Sequence, residues 1–227
     1  DIIVFNRSFN DFSNIAFRGN SYETLEAYAR KVETRVDKKT RVETRTIISS
    51  PDELAAATLE GFTVTEDMLG NYSQTTYGRT APSRSSEETP DGLYHLHFVP
   101  KKLTREVSAV LHIEGLNNIR SATCRLGGVA ESIFLATGKT SANTVTQEFT
   151  PSNPEFSPGS PFNGTLSCEF EIFGLNVIDN NNLHLDALLV DGKTEFEGDC
   201  TNVKITENDD GTGSVTLILE ASTEKVP

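Results

Sequence analysis

One stretch, Leu103–Gly138, constrains the fold more than any other part of the sequence. It places an alternating apolar strand, a Gly-Leu-Asn-Asn turn, a second strand, a Gly-Gly break and a third strand in quick succession. Short strands separated by tight turns are typical of an antiparallel β-sandwich. The stretch contains no nucleophile motif, metal-ligand cluster or phosphate loop. It therefore predicts an architecture and offers no chemistry.

The strand pattern continues to the end of the chain. Gly164–Phe173 has the clearest alternation, with Leu166, Cys168, Phe170 and Ile172 predicted to face inward. Asp191-Gly192 is a strong hairpin signal. Turns are also expected at Asp179–Asn182 and Asp209–Gly211. About seven or eight strands follow residue 100, which suits one sandwich domain.

The first hundred residues give mixed signals. Ser50-Pro51-Asp52-Glu53 combines a capping box with a proline at the first helical position, so it predicts a short helix that ends at Gly61. Ser21–Ala29 predicts a helical turn. The remaining expectations are strands at Asp1–Asn6, Phe62–Val64 and Leu93–Val99, a basic hairpin or loop at Arg30–Arg45, and exposed loops at Tyr72–Gly92 and Pro151–Pro161.

We therefore predict an all-β fold with two β-sandwich domains, residues 1–100 and 101–227, and one or two short helices in the first. A chain of 227 residues is long enough for two ordinary domains. The boundary is placed at Pro100–Thr104, where a proline stops the preceding strand.

Charge limits the classes of partner. The chain has 33 acidic and 20 basic residues, a formal net charge of −13. Nucleic acid is excluded as an expected partner, because phosphate binding needs clustered Lys and Arg. No segment approaches the roughly 20 apolar residues that span a bilayer. Because the chain opens without Met on the apolar run Asp1–Phe5, we expect further sequence upstream, and we assign no cytoplasmic location.

Histidine and acidic residues give weak site signals. His95 and His97 share one strand face, but no partner ligand is identifiable, so they are interpreted as satisfied strand histidines. His112 and His184, on the outer faces of separate strands, are interpreted in the same way. Asp209–Gly213 resembles the start of a calcium loop, yet the later ligand positions are apolar, which favours a turn.

The remaining glutamate and cysteine candidates also give no sign of a functional site. Glu169 and Glu171 share an outer strand face, which a solvated surface explains. Cys124, Cys168 and Cys200 are too few and too scattered for a disulfide scaffold; Cys168 is expected to be a buried free thiol, and one disulfide among the three stays open. We predict no catalytic, cofactor-binding or metal-binding residues, no cofactor and no enzymatic activity.

Several segments carry a family resemblance. These are DIIVFNRSFNDFSNIAFRG followed by SYETLEAYAR, then SSPDELAAATLEGFTV, then FVPKKLTREVSAVLHIEGLNNIRSATCRLGGVAESIFLATG, and finally FNGTLSCEFEIFGL with LLVDGK. Together they cover most of the chain, and the chain resembles the fimbrillin-like surface lipoproteins of gut anaerobes, of the type V pilus superfamily, in an uncharacterised branch. The resemblance implies two sandwiches of transthyretin-like, Greek-key topology. It also implies export, display at the outer membrane, and attachment only through a lipid anchor upstream of this chain.

The resemblance also implies a role in assembly. Relatives polymerise into pili by donor-strand exchange, in which a partner's strand fills an open groove. The expected function is a non-enzymatic pilus subunit or an accessory or tip adhesion component, with other pilus subunits or a donor strand as partners. The alternative is a stand-alone surface module that binds a glycan or a host protein without polymerising.

Overall fold

The computed structural model describes residues 1–36, 43–65, 96–176, 182–209 and 215–227, and these residues form an all-β protein. Helical structure among them is confined to two 3-10 turns, Phe9–Asp11 and Leu116–Asn118. No helix in the described ranges is long and apolar enough to cross a membrane. The strands are β1 (Ile2–Phe5), β2 (Ile15–Arg18), β3 (Glu26–Ala29), β4 (Lys31–Val36), β5 (Glu43–Ile48), β6 (Ala55–Leu59), β7 (Lys101–Lys102), β8 (Arg105–Glu114), β9 (Ile119–Ala130), β10 (Ser132–Phe134), β11 (Thr144–Phe149), β12 (Asn153–Phe156), β13 (Asn163–Ile172), β14 (Leu183–Leu189), β15 (Glu195–Asp199), β16 (Thr201–Asp209) and β17 (Val215–Ser222).

Alternation of apolar and polar residues determines which face of each strand is buried. In β8, Val107, Ala109, Leu111 and Ile113 are buried, while the residues between them are exposed or half-buried. β13 follows the same rule through Leu166, Phe170 and Ile172. Burial of one face per strand is what a period of two residues predicts, so these strands of the second half are confirmed.

Four sheets surround one apolar core. The two large sheets have the strand orders β15-β14-β9-β11-β5-β4 and β12-β13-β8-β17-β16. The two small sheets have the orders β1-β6-β7 and β10-β3-β2. Phe149 of β11 stacks on Phe170 of β13 with ring centroids 4.3 Å apart, so the two large sheets face each other across the core.

The two halves of the chain share sheets. β5 pairs in parallel with β11, and β10 pairs with β3. Buried residues of the first half, such as Phe12 and Leu54, belong to the same core cluster as those of the second half. The all-β class is thus confirmed, whereas two separate sandwiches of Greek-key topology are not. The domain boundary at residue 100 stays a prediction.

The helix predicted after Ser50 is wrong. Ala55–Leu59 is strand β6, which pairs antiparallel with β1. A helix of so few residues is costly to nucleate, whereas the strand gains a ladder and buries Ala56. The Ser50 side chain does not cap a helix: its hydroxyl accepts a hydrogen bond from the Glu171 amide at 2.9 Å.

Other local predictions have mixed outcomes. The predicted helical turn is a single turn in which the Leu25 amide donates to the Ser21 carbonyl at 3.0 Å, and strand β3 follows it directly. Residues 62–64 and 96–99 do not form the predicted strands, and the predicted loop 151–161 contains strand β12. Within Arg30–Arg45, predicted as a hairpin or loop, β4 and β5 pair antiparallel, and the hairpin at Asp191-Gly192 is confirmed. The predictions that lie wholly or partly outside the described residues are the loop Tyr72–Gly92, the turns Asp179–Asn182 and Asp209–Gly211, the calcium-loop resemblance at Asp209–Gly213, the start of strand Leu93–Val99, His95, and the middle of Arg30–Arg45.

A buried carboxylate links β2, β3 and β10. Glu26 is only 7% exposed, and its carboxylate accepts hydrogen bonds from Arg18 Nε at 2.6 Å and Arg18 Nη2 at 2.9 Å. The Ser132 hydroxyl donates a further hydrogen bond to it. The Arg18 guanidinium, hydrogen-bonded to the carboxylate, holds the pKa of Glu26 below its ordinary value.

We expect Arg18→Ala to lower the free energy of unfolding by about 1.5–3 kcal/mol at pH 7, because Glu26 loses its charged hydrogen-bond donor. The pKa of Glu26 is lowered in the folded chain, so the contribution of the pair is present above the unfolded pKa and is lost as pH falls through the folded pKa. Urea unfolding at pH 7 and in acid measures the difference in the free energy of unfolding between the natural chain and Arg18→Ala. This difference should be smaller in acid. Arg105→Ala is the control: it removes a solvent-exposed pair with Glu207 and should cost at most about 1 kcal/mol.

Candidate binding surfaces

A cleft of about 650 Å³ opens at one end of the large sheets; we call it the sheet-end cleft. Its walls come from the start of β8, the turn after β10, the segment after β13, and the β16–β17 pair. Phe173, Ile133 and Leu217 line it and are otherwise buried. The cleft thus has an apolar floor and a volume within the usual range of small-ligand sites.

Cations line the sheet-end cleft in an otherwise acidic protein. Lys102 Nζ lies 2.7 Å from Glu171 Oε1, and Arg105 Nη1 lies 2.9 Å from Glu207 Oε1. Burial lowers the pKa of Lys102, but the hydrogen bond and charge of Glu171 outweigh this effect and raise the pKa overall, so the lysine stays charged. Lys139 also lines the cleft, and no ion pair to it is seen within the described ranges. Glu171 and Glu207 balance the charges of Lys102 and Arg105, so Lys139 is the cation that an anionic group of a ligand would contact.

The second candidate surface is the open edge of β1 with the aromatic residues beside it. β1 pairs along one edge with β6, and the described residues place no strand on its other edge. The Asn6 amide donates to the Ala55 carbonyl at 3.1 Å, which continues the β1–β6 register. Backbone amides along a strand of an antiparallel pair point alternately toward the partner and away from it. The Val4 amide therefore faces β6, whereas the amides of Ile3 and Phe5 face the open edge.

Four aromatic rings pack behind this edge, and we call them the phenylalanine cluster: Phe5, Phe9, Phe12 and Phe17. Phe9 is 51% exposed, and its ring centroid lies 4.8 Å from that of Phe5 and 4.6 Å from that of Phe17. Aromatic rings at such distances contribute beyond their burial, so the cluster holds its shape. The sequence reasoning did not single it out, although four Phe within thirteen residues were a visible signal.

The polar residues considered from sequence have varied positions. His112 is exposed on the outer face of β8, as predicted, whereas His97 is exposed and lies outside any strand, so its interpretation as a strand histidine is wrong. Glu169 is exposed, but Glu171 is half-buried and paired with Lys102, so a purely solvated face is wrong for Glu171. His184 is half-buried and has carboxylate neighbours that the sequence reasoning missed: its Nδ1 lies 2.9 Å from Asp199 and its Nε2 3.2 Å from Asp186.

The cysteines are free thiols without activation. Cys124 is buried, whereas Cys168 and Cys200 are half-buried, so the expected full burial of Cys168 is wrong. Burial raises the pKa of Cys168 and of Cys200 to about 11, and that of Cys124 well above its ordinary value. Because the thiolate is the reactive species, none of the three is suited to nucleophilic chemistry.

Comparisons with known proteins agree with a β-rich architecture. Residues 1–150 match the family model described as a domain of unknown function, DUF5119. Among solved structures, the chain is similar to the crystal structure of a "putative adhesin" from Bacteroides ovatus ATCC 8483, with a TM-score of 0.52 and 16% sequence identity. That match covers 87% of this chain but only 63% of the other, so the chain spans less than two thirds of that protein's length. A likeness at this identity concerns the fold alone. The search of curated proteins gave no match.

Proposed function

The chain belongs to the DUF5119 family, and we propose that it is a non-enzymatic, exported cell-surface protein that acts in adhesion and accepts a β-strand from a partner. The observation that carries the proposal is the open edge of β1 beside the partly exposed phenylalanine cluster. Unpaired backbone donors and acceptors next to apolar surface favour the addition of an extended segment.

Further support comes from the structural neighbour and from the acidic surface. The similar Bacteroides ovatus protein is described as a "putative adhesin", and the proposal extends that role to this chain. The net charge of −13 disfavours nonspecific self-association, which agrees with a surface protein that associates through specific contacts. The proposal includes the fimbrillin-like assignment, the transthyretin-like topology of two domains, and a lipid anchor at the outer membrane, all implied by the sequence resemblance.

The absence of enzymatic activity is also part of the proposal. Glycoside hydrolysis, the least implausible reaction class, needs two carboxylates that flank a cleft and act as acid and base. In the described part of the sheet-end cleft, the Glu207 carboxylate pairs with Arg105, and the nearby Glu171 carboxylate pairs with Lys102. These contacts fit a structural role for both groups.

The test uses a substitution at the open edge. Ile3→Pro removes an amide that faces away from β6 and leaves the β1–β6 hydrogen bonds in place, so it should block strand addition without unfolding the sheet. The probe is a synthetic peptide with the alternating sequence of β17, VTLILEAS. Size-exclusion chromatography with light scattering should show peptide-dependent complexes or concentration-dependent oligomers for the natural chain, and a tenfold or greater loss of either for Ile3→Pro.

The contradicting result is equally definite. A chain that stays monomeric at high concentration and ignores the peptide argues against strand complementation. Val4→Pro serves as a comparison, because it removes an amide that faces β6 and should destabilise the sheet itself. Equal effects of the two substitutions would also count against the proposal.

A second candidate function is a stand-alone binding module, and the sheet-end cleft favours it. Lys139 beside an apolar floor suits a carboxylated glycan or a carboxylate from a host protein. A glycan array with matched neutral and carboxylated sugars tests this alternative. One saturable carboxylated ligand that Lys139→Glu abolishes, without any effect of Ile3→Pro, would favour the module over assembly.

A further inference from the structure

A group of polar side chains lies on the outer face of the six-stranded sheet, and we call it the carboxylate–histidine group: His184, Asp186, Glu197 and Asp199. β14 supplies the first two and β15 the others, with His184 opposite Asp199 and Asp186 opposite Glu197. One ligand atom each from His184, Asp186 and Glu197 lies within 4.8 Å of the other two. The set contains one imidazole and two carboxylates, which is a combination that divalent transition metals bind.

The distances within this group already approach those of a coordination site. His184 Nε2 lies 3.2 Å from Asp186 Oδ1. Around a tetrahedral zinc ion with ligands about 2.0–2.1 Å away, neighbouring ligand atoms are about 3.3–3.4 Å apart. Glu197 is exposed, so a rotamer change can bring its carboxylate to a third position. An ion thus needs little rearrangement of the protein.

The imidazole is oriented as a ligand by a second carboxylate. Asp199 Oδ1 lies 2.9 Å from His184 Nδ1, on the opposite side of the ring from Asp186. In the tautomer that carries its proton on Nδ1, the imidazole donates to Asp199, and Nε2 keeps the lone pair that a metal ion between Nε2 and Asp186 Oδ1 would accept. Metal-binding histidines almost always have such a partner on the other ring nitrogen.

Asp186 is also held from outside the group. Arg125, whose side chain is 11% exposed, donates to Asp186 Oδ2 and lies 3.0 Å from Glu148. Arg125 therefore engages the carboxylate oxygen that faces away from His184. An outer hydrogen bond on a ligating carboxylate is the usual second layer of a metal site.

Charge and space are consistent with a bound cation. Asp186 and Glu148 contact the guanidinium of Arg125, while Asp199 and Glu197 lie beside His184 and Asp186. Four carboxylates and one guanidinium make the region negative overall. A shallow cavity of about 240 Å³ borders Asp186 and Glu197 and extends along Ser121 and Thr123. The cavity leaves room for a water molecule or an external ligand at a fourth position.

We propose that this chain binds one divalent transition metal ion, with zinc as the best match, through His184 Nε2, Asp186 Oδ1 and Glu197. The fourth position faces the shallow cavity, and Asp199 and Arg125 act as positioning residues. This site is independent of the β1 edge and of strand addition. The sequence alone predicted no metal site, because His184, Asp186, Glu197 and Asp199 match no metal-binding motif. The proposal departs from that prediction.

Isothermal titration of the full chain, without a histidine tag, with zinc chloride tests the proposal. We expect one zinc ion per chain, and a tenfold or greater loss of affinity for His184→Ala and for Glu197→Gln. Asp199→Asn should weaken binding by about 10- to 100-fold, as outer partners of metal ligands do. Calcium and magnesium should bind much more weakly than zinc, because they disfavour imidazole.

His112→Ala is the matched control, since His112 is an exposed histidine on the outer face of β8 in the other large sheet. It should leave the zinc affinity unchanged. Cobalt gives a second readout: its visible absorption should appear with the natural chain and be lost with His184→Ala. Zinc binding that survives His184→Ala, that depends equally on His112, or that is absent at millimolar metal would overturn the proposal. Circular dichroism of each variant verifies that the substitution leaves the fold intact.

Discussion

Leu111→Ala is expected to lower the free energy of unfolding by about 3–4 kcal/mol. Leu111 is 0% exposed and lies in β8, a central strand of the five-stranded sheet. It lies opposite Leu166 on β13 and Ala221 on β17. Truncation would leave a cavity in the core. Because β8 is paired along both edges, with β13 and with β17, the surrounding structure cannot collapse far enough to replace the lost contacts.

His112→Ala provides the control for Leu111→Ala. The two residues are adjacent in β8 and point to opposite faces, and His112 is exposed. Its replacement should change the free energy of unfolding by less than about 0.5 kcal/mol. Urea unfolding followed by circular dichroism measures both variants. Similar effects for Leu111 and His112 would show that the inward face of β8 has been assigned wrongly.

Gly115→Ala is expected to cost about 3–4 kcal/mol, from two causes that add. The residue has φ of +90°, a conformation that costs an L-residue with a side chain about 1–2 kcal/mol. A Cβ atom would also lie 2.3 Å from the Val226 carbonyl oxygen. Val226 is fully buried, and its amide donates to the Glu114 carbonyl at 2.8 Å. The added methyl group would therefore push the last residues of the chain away from the end of β8.

Gly61→Ala separates these two causes. Gly61 has φ of +66°, but none of the residues that the structure describes lies within 4 Å of a Cβ added there. Its replacement should therefore cost only the conformational part, about 1–2 kcal/mol. Thermal and urea unfolding of both variants give the comparison. If Gly115→Ala costs no more than Gly61→Ala, the close approach of Val226 has no energetic consequence.

The alternating strands of the second half were predictable because the apolar–polar alternation lies within the sequence of each strand. The burial of Leu166, Phe170 and Ile172 follows from period-two alternation within β13 itself. The Asp191-Gly192 hairpin was equally local: Asp191 Oδ1 accepts from the amides of Lys193 and Thr194, which fixes the turn.

The wrong prediction of a helix after Ser50 shows that long-range strand pairing can override a local helix signal. Its capping residues were correct for a helix, but pairing with β1, from Ile2 opposite Leu59 to Phe5 opposite Ala56, decided the outcome. Tertiary context overrides a short segment's propensity in this way. The same holds for the carboxylate–histidine group: His184 and Asp199 meet only because the hairpin register places them opposite each other.

The sheet-end cleft was beyond sequence reasoning. Lys102, Lys139 and Glu207 come from three distant parts of the chain. Nothing in their local sequence indicates that they line the same cleft. The apolar–polar alternation within each strand also does not specify which strand ends lie next to each other. The open edge of β1 was partly predictable, since an apolar strand at Asp1–Asn6 was expected from its composition.

Amide hydrogen exchange along β1 tests the central claim, that this strand can accept a partner, most directly. In the isolated chain the amides of Ile3 and Phe5 should exchange at nearly unprotected rates, whereas those of Val4 and Asn6, which face β6, should be protected. With the added strand peptide, Ile3 and Phe5 should become protected as well. Protection of Ile3 and Phe5 equal to that of Val4 in the isolated chain would mean that the edge is already covered, and the claim would fail.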